Sequence, residues 1–288
     1  MATPLLAVDA PSILFRAFFA LPDTIRGRDG DPVNALLGSV NIVLNEIAQH
    51  GPRAVVMCFG QDAADYRVQL YDGYHADRPD VPNELDSQFA AAPSLYDALG
   101  WHVKSLRGLE ADDTLHSLSV AEERAGGSTL LLTGDRDMFQ SVGPQCAVLY
   151  LRTGSRGAER VDERGVVERY GVPPSLVPDF IALRGDPSDG LPGAPGIGAK
   201  TAADLLQRHG SLEGAIEGAA GERPRVASVL RDWDRQLRQF KEIATLRVRR
   251  VARPADRPTN YQIGSQAARW LGMNRLAVRL EALARGGR

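Results

Sequence analysis

Thr129–Phe139 reads TLLLTGDRDMF: an apolar run, one glycine, then two aspartates two positions apart. A short continuous apolar run bounded by polar residues is the pattern of a strand buried on both faces, as in a parallel sheet. Acids placed directly after such a strand sit where open parallel sheets bind their ligands, outside the carboxyl ends of the strands. Working outward, the same reading applies to Leu5–Val8 (LLAV, ending in Asp9), Ala54–Phe59 (AVVMCF), Trp101–Val103 and Ala147–Leu151. Between them, helical spacing of apolar residues predicts helices over Val33–Ala48, Leu85–Leu99 and Asp112–Arg124. Strands alternating with helices define an α/β fold with a mostly parallel sheet flanked by helices.

The second half has another character. After Val161 no strand is predicted. Helices are expected over Asp162–Tyr170, Pro173–Leu183, Lys200–Arg208, Leu212–Glu217, Pro224–Ala244 and Gln266–Ala284. No internal repeat of solenoid period is present.

The 288 residues suffice for one large domain or two modest ones, and the formal net charge is −2. Arginine dominates the cations, the lysines being Lys104, Lys200 and Lys241. Cys58 and Cys146 lie in apolar runs and read as buried thiols, which leaves neither a disulfide framework nor a zinc site. There is no run of the roughly 18 apolar residues of a membrane span, and no signal peptide, so the expectation is a cytoplasmic protein with no membrane partner.

Eight carboxylates fall at the ends of elements: Asp9, the Glu110/Asp112/Asp113 group, Asp135 with Asp137, and Asp186 with Asp189. Acids at a helix start can simply cap free N–H groups, which is an alternative reading of Glu110, Asp112 and Asp113. In an extended loop Asp135 and Asp137 point the same way, and on a helical turn Asp186 and Asp189 share a face. If the fold gathers them, like charges at close range need a counter-charge. A hard divalent ion supplies it through oxygen ligands. Two such ions fit phosphodiester cleavage, one activating water and one stabilising the leaving oxygen. A nucleotide-binding GxxxxGK[ST] loop and a GxSxG elbow are absent, and Pro11 stands where a haloacid-dehalogenase-type phosphatase needs its second Asp.

Two further segments stand out. Asp62–Asn83 is polar, aromatic and broken by Pro79 and Pro82; it reads as a solvent-exposed connection or as a lid whose aromatic faces and arginines meet bases and phosphate. Gly193, Gly196 and Gly198, in PGAPGIGAKTA, precede the helix at Lys200 and Thr201. Such a turn is a packing corner or a phosphate-binding helix start. The basic residues of Pro224–Ala244 read as a solvated face or as extra backbone contacts.

The blocks LLAVDAPSILFRAF, GLEADDTLHSL, LLTGDRDMFQSV and RGDPSDGLPGAPGIGAKTAADLL together resemble the flap endonuclease/5′-3′ exonuclease family, which includes the 5′-nuclease domain of bacterial DNA polymerase I. The resemblance covers about Leu5 to Leu246. It implies a Rossmann-like (PIN-like) core over 1–170 with a helical arch at about 62–95. It further implies a helical duplex-DNA-binding part over 171–260 with a helix–three-turn–helix at about 183–208, followed by a C-terminal helix over 261–288. It makes Asp9, Glu110, Asp112, Asp113, Asp135, Asp137, Asp186 and Asp189 ligands of two or more Mg²⁺ or Mn²⁺ ions. It assigns Arg16 and Arg78 to the scissile phosphate. Arg67, Tyr74, His75, Gly193, Gly196, Gly198, Lys200 and Thr201 become DNA contacts, with K⁺ held at the glycine turn. The implied substrate is DNA with a 5′ flap, nick, gap or 5′ end, cut by a free-standing monomer working beside a separate polymerase and ligase in replication and repair. Two positions depart from the pattern. The family's Asp after the second strand is Gly60 here, with Asp62 two residues on, and its arch Lys is His75, a weaker and pH-dependent cation. These departures motivate a rival reading, a branched-DNA-binding protein of little or no turnover. A third reading is a toxin-like RNase on a related sheet.

Overall fold

The structure, a computed structural model, describes residues 3–152 and 157–286; the outermost ends of the expected 1–170 and 261–288 segments lie outside them. The elements are β1 (Leu5–Asp9), α1 (Ala10–Ala20), α2 (Asn34–His50), β2 (Ala54–Phe59), α3 (Asp65–Leu70), α4 (Asn83–Ala98), β3 (His102–Ser105), α5 (Ala111–Arg124), β4 (Thr129–Thr133) and β5 (Cys146–Tyr150). There follow β6 (Glu159–Val161), α6 (Glu163–Tyr170), α7 (Val177–Arg184), α8 (Ala199–His209), α9 (Leu212–Glu217), α10 (Pro224–Asp232), α11 (Asp234–Ala244), α12 (Tyr261–Trp270) and α13 (Asn274–Gly286).

The sheet order is β3-β2-β1-β4-β5-β6, with every pairing parallel except β5–β6. The chain order reverses between β1 and β4, which opens a crevice beyond the carboxyl ends of these two strands. Both faces are covered, so the central strands carry apolar residues without alternation: Leu5, Leu6, Ala7 and Val8 are all fully buried. Leu5, Ala7 and Leu131 join α5, α7, α8 and α11 in one core. Leu6, Val8 and Leu132 join α1, α2, α4, α12 and α13 in the other. Among the described residues no helix is long and apolar enough to cross a membrane.

Several expectations are corrected. The predicted Pro224–Ala244 helix is two, broken at Trp233, because α11 packs on α7 while α10 packs beside α9 and its following turn. Gln266–Ala284 is also two helices, separated at Leu271–Met273. β6 is three residues long and two of them are charged, below the length at which alternation can be read. α1 was signalled by Asp9-Ala10-Pro11-Ser12: Asp9 caps it by accepting from the Ser12 N–H at 3.1 Å, and Pro11 occupies its first turn.

Candidate active site

The crevice at the β1/β4 reversal holds a cavity of about 870 Å³. Asp9, Glu110, Asp112, Asp135, Asp186 and Asp189 line it, so six of the eight expected acids are brought together by four separate parts of the chain. Asp62 lines it too.

Each acid is held by local geometry. Asp9, the last residue of β1, accepts from Thr133 Oγ1 at 2.7 Å as well as from Ser12. The α5 start fixes Glu110 and Asp113 reciprocally: Glu110 precedes the helix, and Asp113 accepts from the Glu110 N–H at 3.2 Å. Asp135 accepts from the Asp137 N–H at 2.8 Å. Asp186 and Asp189 are not on a helical turn, as the sequence suggested. They lie in a tight loop closed by paired bonds between Asp186 and Leu191, each 2.8 Å. Asp186 then accepts from the Ser188 N–H at 2.9 Å and from the Ser188 hydroxyl.

Asp113 and Asp137 do not line the cavity. Asp137 is buried behind Asp135 at the start of a 3₁₀ turn. Asp113 is fully buried and accepts from Arg67 Nη1 and Nη2, both at 3.1 Å, and from the Arg247 N–H at 2.8 Å. Arg67 lies 2.9 Å from Glu110 and donates its Nε to the Ile243 carbonyl at 3.0 Å, so its guanidinium is wholly committed inside the protein. Tyr74 is buried as well and donates its hydroxyl to Glu110 at 3.0 Å. The polar 62–83 segment is thus partly internal, which its composition hid.

His75 and Arg78 face the cavity and both turn onto Asp189, at 3.1 and 3.5 Å. His75 stacks on Tyr74 with ring centroids 3.9 Å apart, and Arg78 also reaches Asp62 at 3.3 Å. Arg16 stands behind Gly134, where it donates to the carbonyls of Leu151 and Arg152, while its buried Nε has no partner among the described residues. Arg136 and Arg184, which the sequence reading passed over, also line the cavity. Their signal was position, Arg136 between Asp135 and Asp137 and Arg184 two residues before Asp186.

Burial pushes Asp9 above the usual carboxylate range, partly offset by its bonds to Thr133 and Ser12. Burial and then the neighbouring Asp9 and Asp135 push Asp112 well up. Asp135 is pushed up to about 7, first by burial and then by Asp189. Asp137 is raised well above its ordinary value by burial and then by Asp135. Four carboxyls raised together describe a site short of positive charge.

Among the described residues no three acids, histidines or cysteines are grouped closely enough to hold a metal ion directly. The acids ring the cavity instead. A largely carboxylate ring around a roomy cavity fits a hard divalent cation that keeps part of its water shell.

Gly60 lies where the chain leaves β2. A Cβ added there would come within 2.3 Å of both the Glu110 carbonyl carbon and the Ala111 nitrogen. The backbone entering α5 therefore fills the place of any side chain at 60. We expect Gly60→Asp to cost at least about 1–3 kcal/mol by overpacking and to displace Glu110 rather than add a ligand. A thermal midpoint unchanged from wild type would contradict this close approach.

Beyond Asp189 the chain forms the glycine turn. Gly193 (φ 69°) has no room for a Cβ, which would meet the Gly185 nitrogen at 2.3 Å. Ala194 and Ile197 are buried and pin the turn, while Gly196, Gly198 and Lys200 are exposed and Thr201 is half-buried. Gly198 precedes α8 and supplies no side-chain cap, leaving the first N–H groups of the helix open. Arg225 lies over Gly196, its Nη2 about 3.0 Å from where a Cβ would stand.

A mostly parallel sheet with an acid-lined crevice, continued by a glycine turn and a helical part, defines a nuclease of the PIN-like class. Residues 4–171 match the 5'-3' exonuclease N-terminal resolvase-like domain and residues 172–259 the 5'-3' exonuclease C-terminal SAM fold. The chain belongs to the 5'-3' exonuclease family. It is 38% identical over 251 residues to a 5'-3' exonuclease of Mycobacterium tuberculosis, covering 80% of this chain and 78% of that one. It is 38% identical over 228 residues to DNA polymerase I of Mycobacterium leprae, covering 79% of this chain and 25% of the polymerase. The chain thus spans about a quarter of the DNA polymerase I relatives it matches. In fold it is similar to the bacteriophage T5 D15 flap endonuclease, in a complex with DNA and metal ions, with a TM-score of 0.70 at 16% identity over 98% of this chain and 99% of that one. It is also similar to the catalytic core of Rad2 in complex with DNA substrate, with a TM-score of 0.61 at 12% identity over 96% and 92% of the two chains.

Proposed function

We propose that this chain cleaves phosphodiester bonds in DNA at 5′ flaps, nicks, gaps or 5′ ends, using divalent ions. The observation that carries this reading is the ring of six acids around one cavity, with three of them (Asp9, Asp112 and Asp135) and Asp137 behind them all raised. Asp9, Glu110, Asp112, Asp135, Asp186 and Asp189 would hold Mg²⁺ or Mn²⁺, with Asp113 and Asp137 supporting the ring from behind. When bound, such ions polarise phosphoryl oxygens and lower the pKa of water.

The protein's own groups divide the remaining work. Arg78, Arg136 and Arg184 lie at the cavity to meet phosphate oxygens. Arg78 and His75 now hold Asp189, and a phosphate entering beside Asp189 competes for them. The open N–H groups of α8, with Lys200, Thr201 and Arg225, grip the backbone of the duplex without reading bases. The core up to 170 would carry the chemistry and the helical part from 171 the grip. A monomer, K⁺ at the glycine turn, and a polymerase and a ligase as partners belong to the same proposal.

The test is a 5′-labelled flap duplex incubated with protein and Mg²⁺ or Mn²⁺. We expect short 5′ products released near the junction, lost on adding EDTA. Binding without products in either metal would favour the branched-DNA-binding alternative, which Gly60 and the engagement of Arg78 and His75 with Asp189 motivate.

A further inference from the structure

Outside the cavity, a concentration of unused positive charge follows α5. Residues 247–253 read RVRRVAR and run beside this helix without regular structure. Three ties fix them to it in order. The Arg247 N–H donates to Asp113 at 2.8 Å, the Arg249 N–H donates to Ser117 Oγ at 2.9 Å, and Arg253 Nη2 donates to Glu122 at 3.0 Å. The strap therefore travels in the same direction as α5, away from the cavity.

Its side chains leave a groove of about 230 Å³ against α5, lined by Arg124, Arg249, Arg250 and Arg253 and by no acid. Arg124, Arg249 and Arg250 are exposed, and their side chains make no ion pair or hydrogen bond among the described residues. Glu122 is fully buried and is satisfied by Arg53 as well as Arg253, so it does not neutralise the groove. At its upper end Arg247 packs over the Tyr66 ring, 3.3 Å from the centroid, at the foot of the 62–82 segment that covers the cavity. From Asp113 to Arg124 the helix rises about 17 Å.

We propose that this arginine track carries the single-stranded 5′ portion of the substrate after it leaves the cavity. The inference rests on the nuclease reading above and names a site for a part of the substrate that this reading leaves unplaced. Three observations select a single strand over a duplex. The groove is narrow and its charged lining is arginine alone, suited to one phosphate backbone. The track starts beside Asp113, behind the cavity at the start of α5, whereas the glycine turn continues from a different cavity segment, Asp186–Asp189. Its length matches about five phosphates at the 3.4 Å spacing of a stacked strand, within the site size of other single-strand grooves.

The experiment compares binding of two duplexes, with 5′ flaps of 2 and 12 nucleotides, without divalent ions. The proteins are wild type and the Arg249→Ala/Arg250→Ala double variant. For wild type the long flap is expected to bind on the order of tenfold tighter at low salt, and the double variant is expected to lose this gain while binding the short flap as before. The salt dependence for the long flap should fall by about 1.4 in log–log slope, for two lost single-strand phosphate contacts. Arg249→Lys/Arg250→Lys should restore most of the gain, because the track recognises charge. A gain from flap length that survives Arg249→Ala/Arg250→Ala overturns the proposal. So does an equal loss on both flaps, which would make the groove a duplex or general contact. Cleavage of the short flap in metal, measured in parallel, separates this outcome from failure of the nuclease reading: if wild type cuts neither substrate that reading falls, while the binding comparison still decides the track.

Discussion

Asp135→Asn is expected to abolish cleavage and at the same time to make the protein more stable. Asp135 lines the cavity, and the described residues give its carboxylate one hydrogen bond, from the Asp137 N–H, with no cation beside it. Loss of this charge would remove a proposed ligand for the divalent ion, and we expect the rate on a 5′-flap duplex to fall by at least about a hundredfold, as when one fixed group stabilising transition-state charge is removed. Binding to the same duplex without divalent ions should persist or tighten, because one charge repelling phosphate is gone.

The stability gain follows from the carboxyl's pKa. Burial, and then Asp189, push the folded Asp135 carboxyl up to about 7, well above the ordinary carboxylate range. A folded pKa raised above the unfolded one contributes stability that is present below about 4 and is lost as pH rises through 7. The advantage of Asn over Asp should therefore be small at pH 4, grow to pH 7 and level off above it. Its plateau is on the order of a few kcal/mol, reduced by coupling to Asp189 and the other acids. Metal-free melting at pH 5 and pH 8 measures it. A variant that is inactive and less stable at pH 8 would show that Asp135 is a structural residue.

Arg67→Ala is the opposite case. Arg67 is buried against Glu110 and Asp113, and its bidentate bond to Asp113 fixes the start of α5 to the 62–82 segment. Removing it strands Asp113 without its cation inside the protein. Breaking a buried pair in this way costs about 3–5 kcal/mol, a large part of the stability of an ordinary domain. We expect a drop of this size in urea unfolding at pH 7. Cleavage should also fall at temperatures where the variant stays folded, because Glu110 loses its anchor. A loss below about 1 kcal/mol, the level of an exposed pair, would contradict this arrangement.

The contrast between Asp135 and Asp113 shows what the sequence could and could not say. Buried parallel strands announce themselves through unbroken apolar runs, so LLAV, AVVMCF and TLLLT fall where they were expected, and Asp9 and Asp135 follow from their ends. The acids at the α5 start were legible as a group, but their division was not. Asp112 and Asp113 are neighbours on a helix and point about 100° apart, one into the cavity and one into a buried arginine. Which is which depends on Arg67, 46 residues earlier in the chain. The polar 62–83 segment misled because Arg67 and Tyr74 are buried by pairing with these carboxylates rather than by apolar packing. The breaks at Trp233 and Leu271–Met273 are set by what the helices on either side pack against, which helical periodicity does not record.

The central claim is that the acid ring takes up divalent ions for catalysis, and calorimetric titration of the DNA-free protein with Mn²⁺ tests it most directly. We expect saturable binding of at least one ion to wild type, weakened by at least about tenfold in Asp135→Asn, in the range seen when the surroundings of a metal site are altered. Wild-type protein that takes up no Mn²⁺, with flap cleavage that persists in EDTA, would contradict the account.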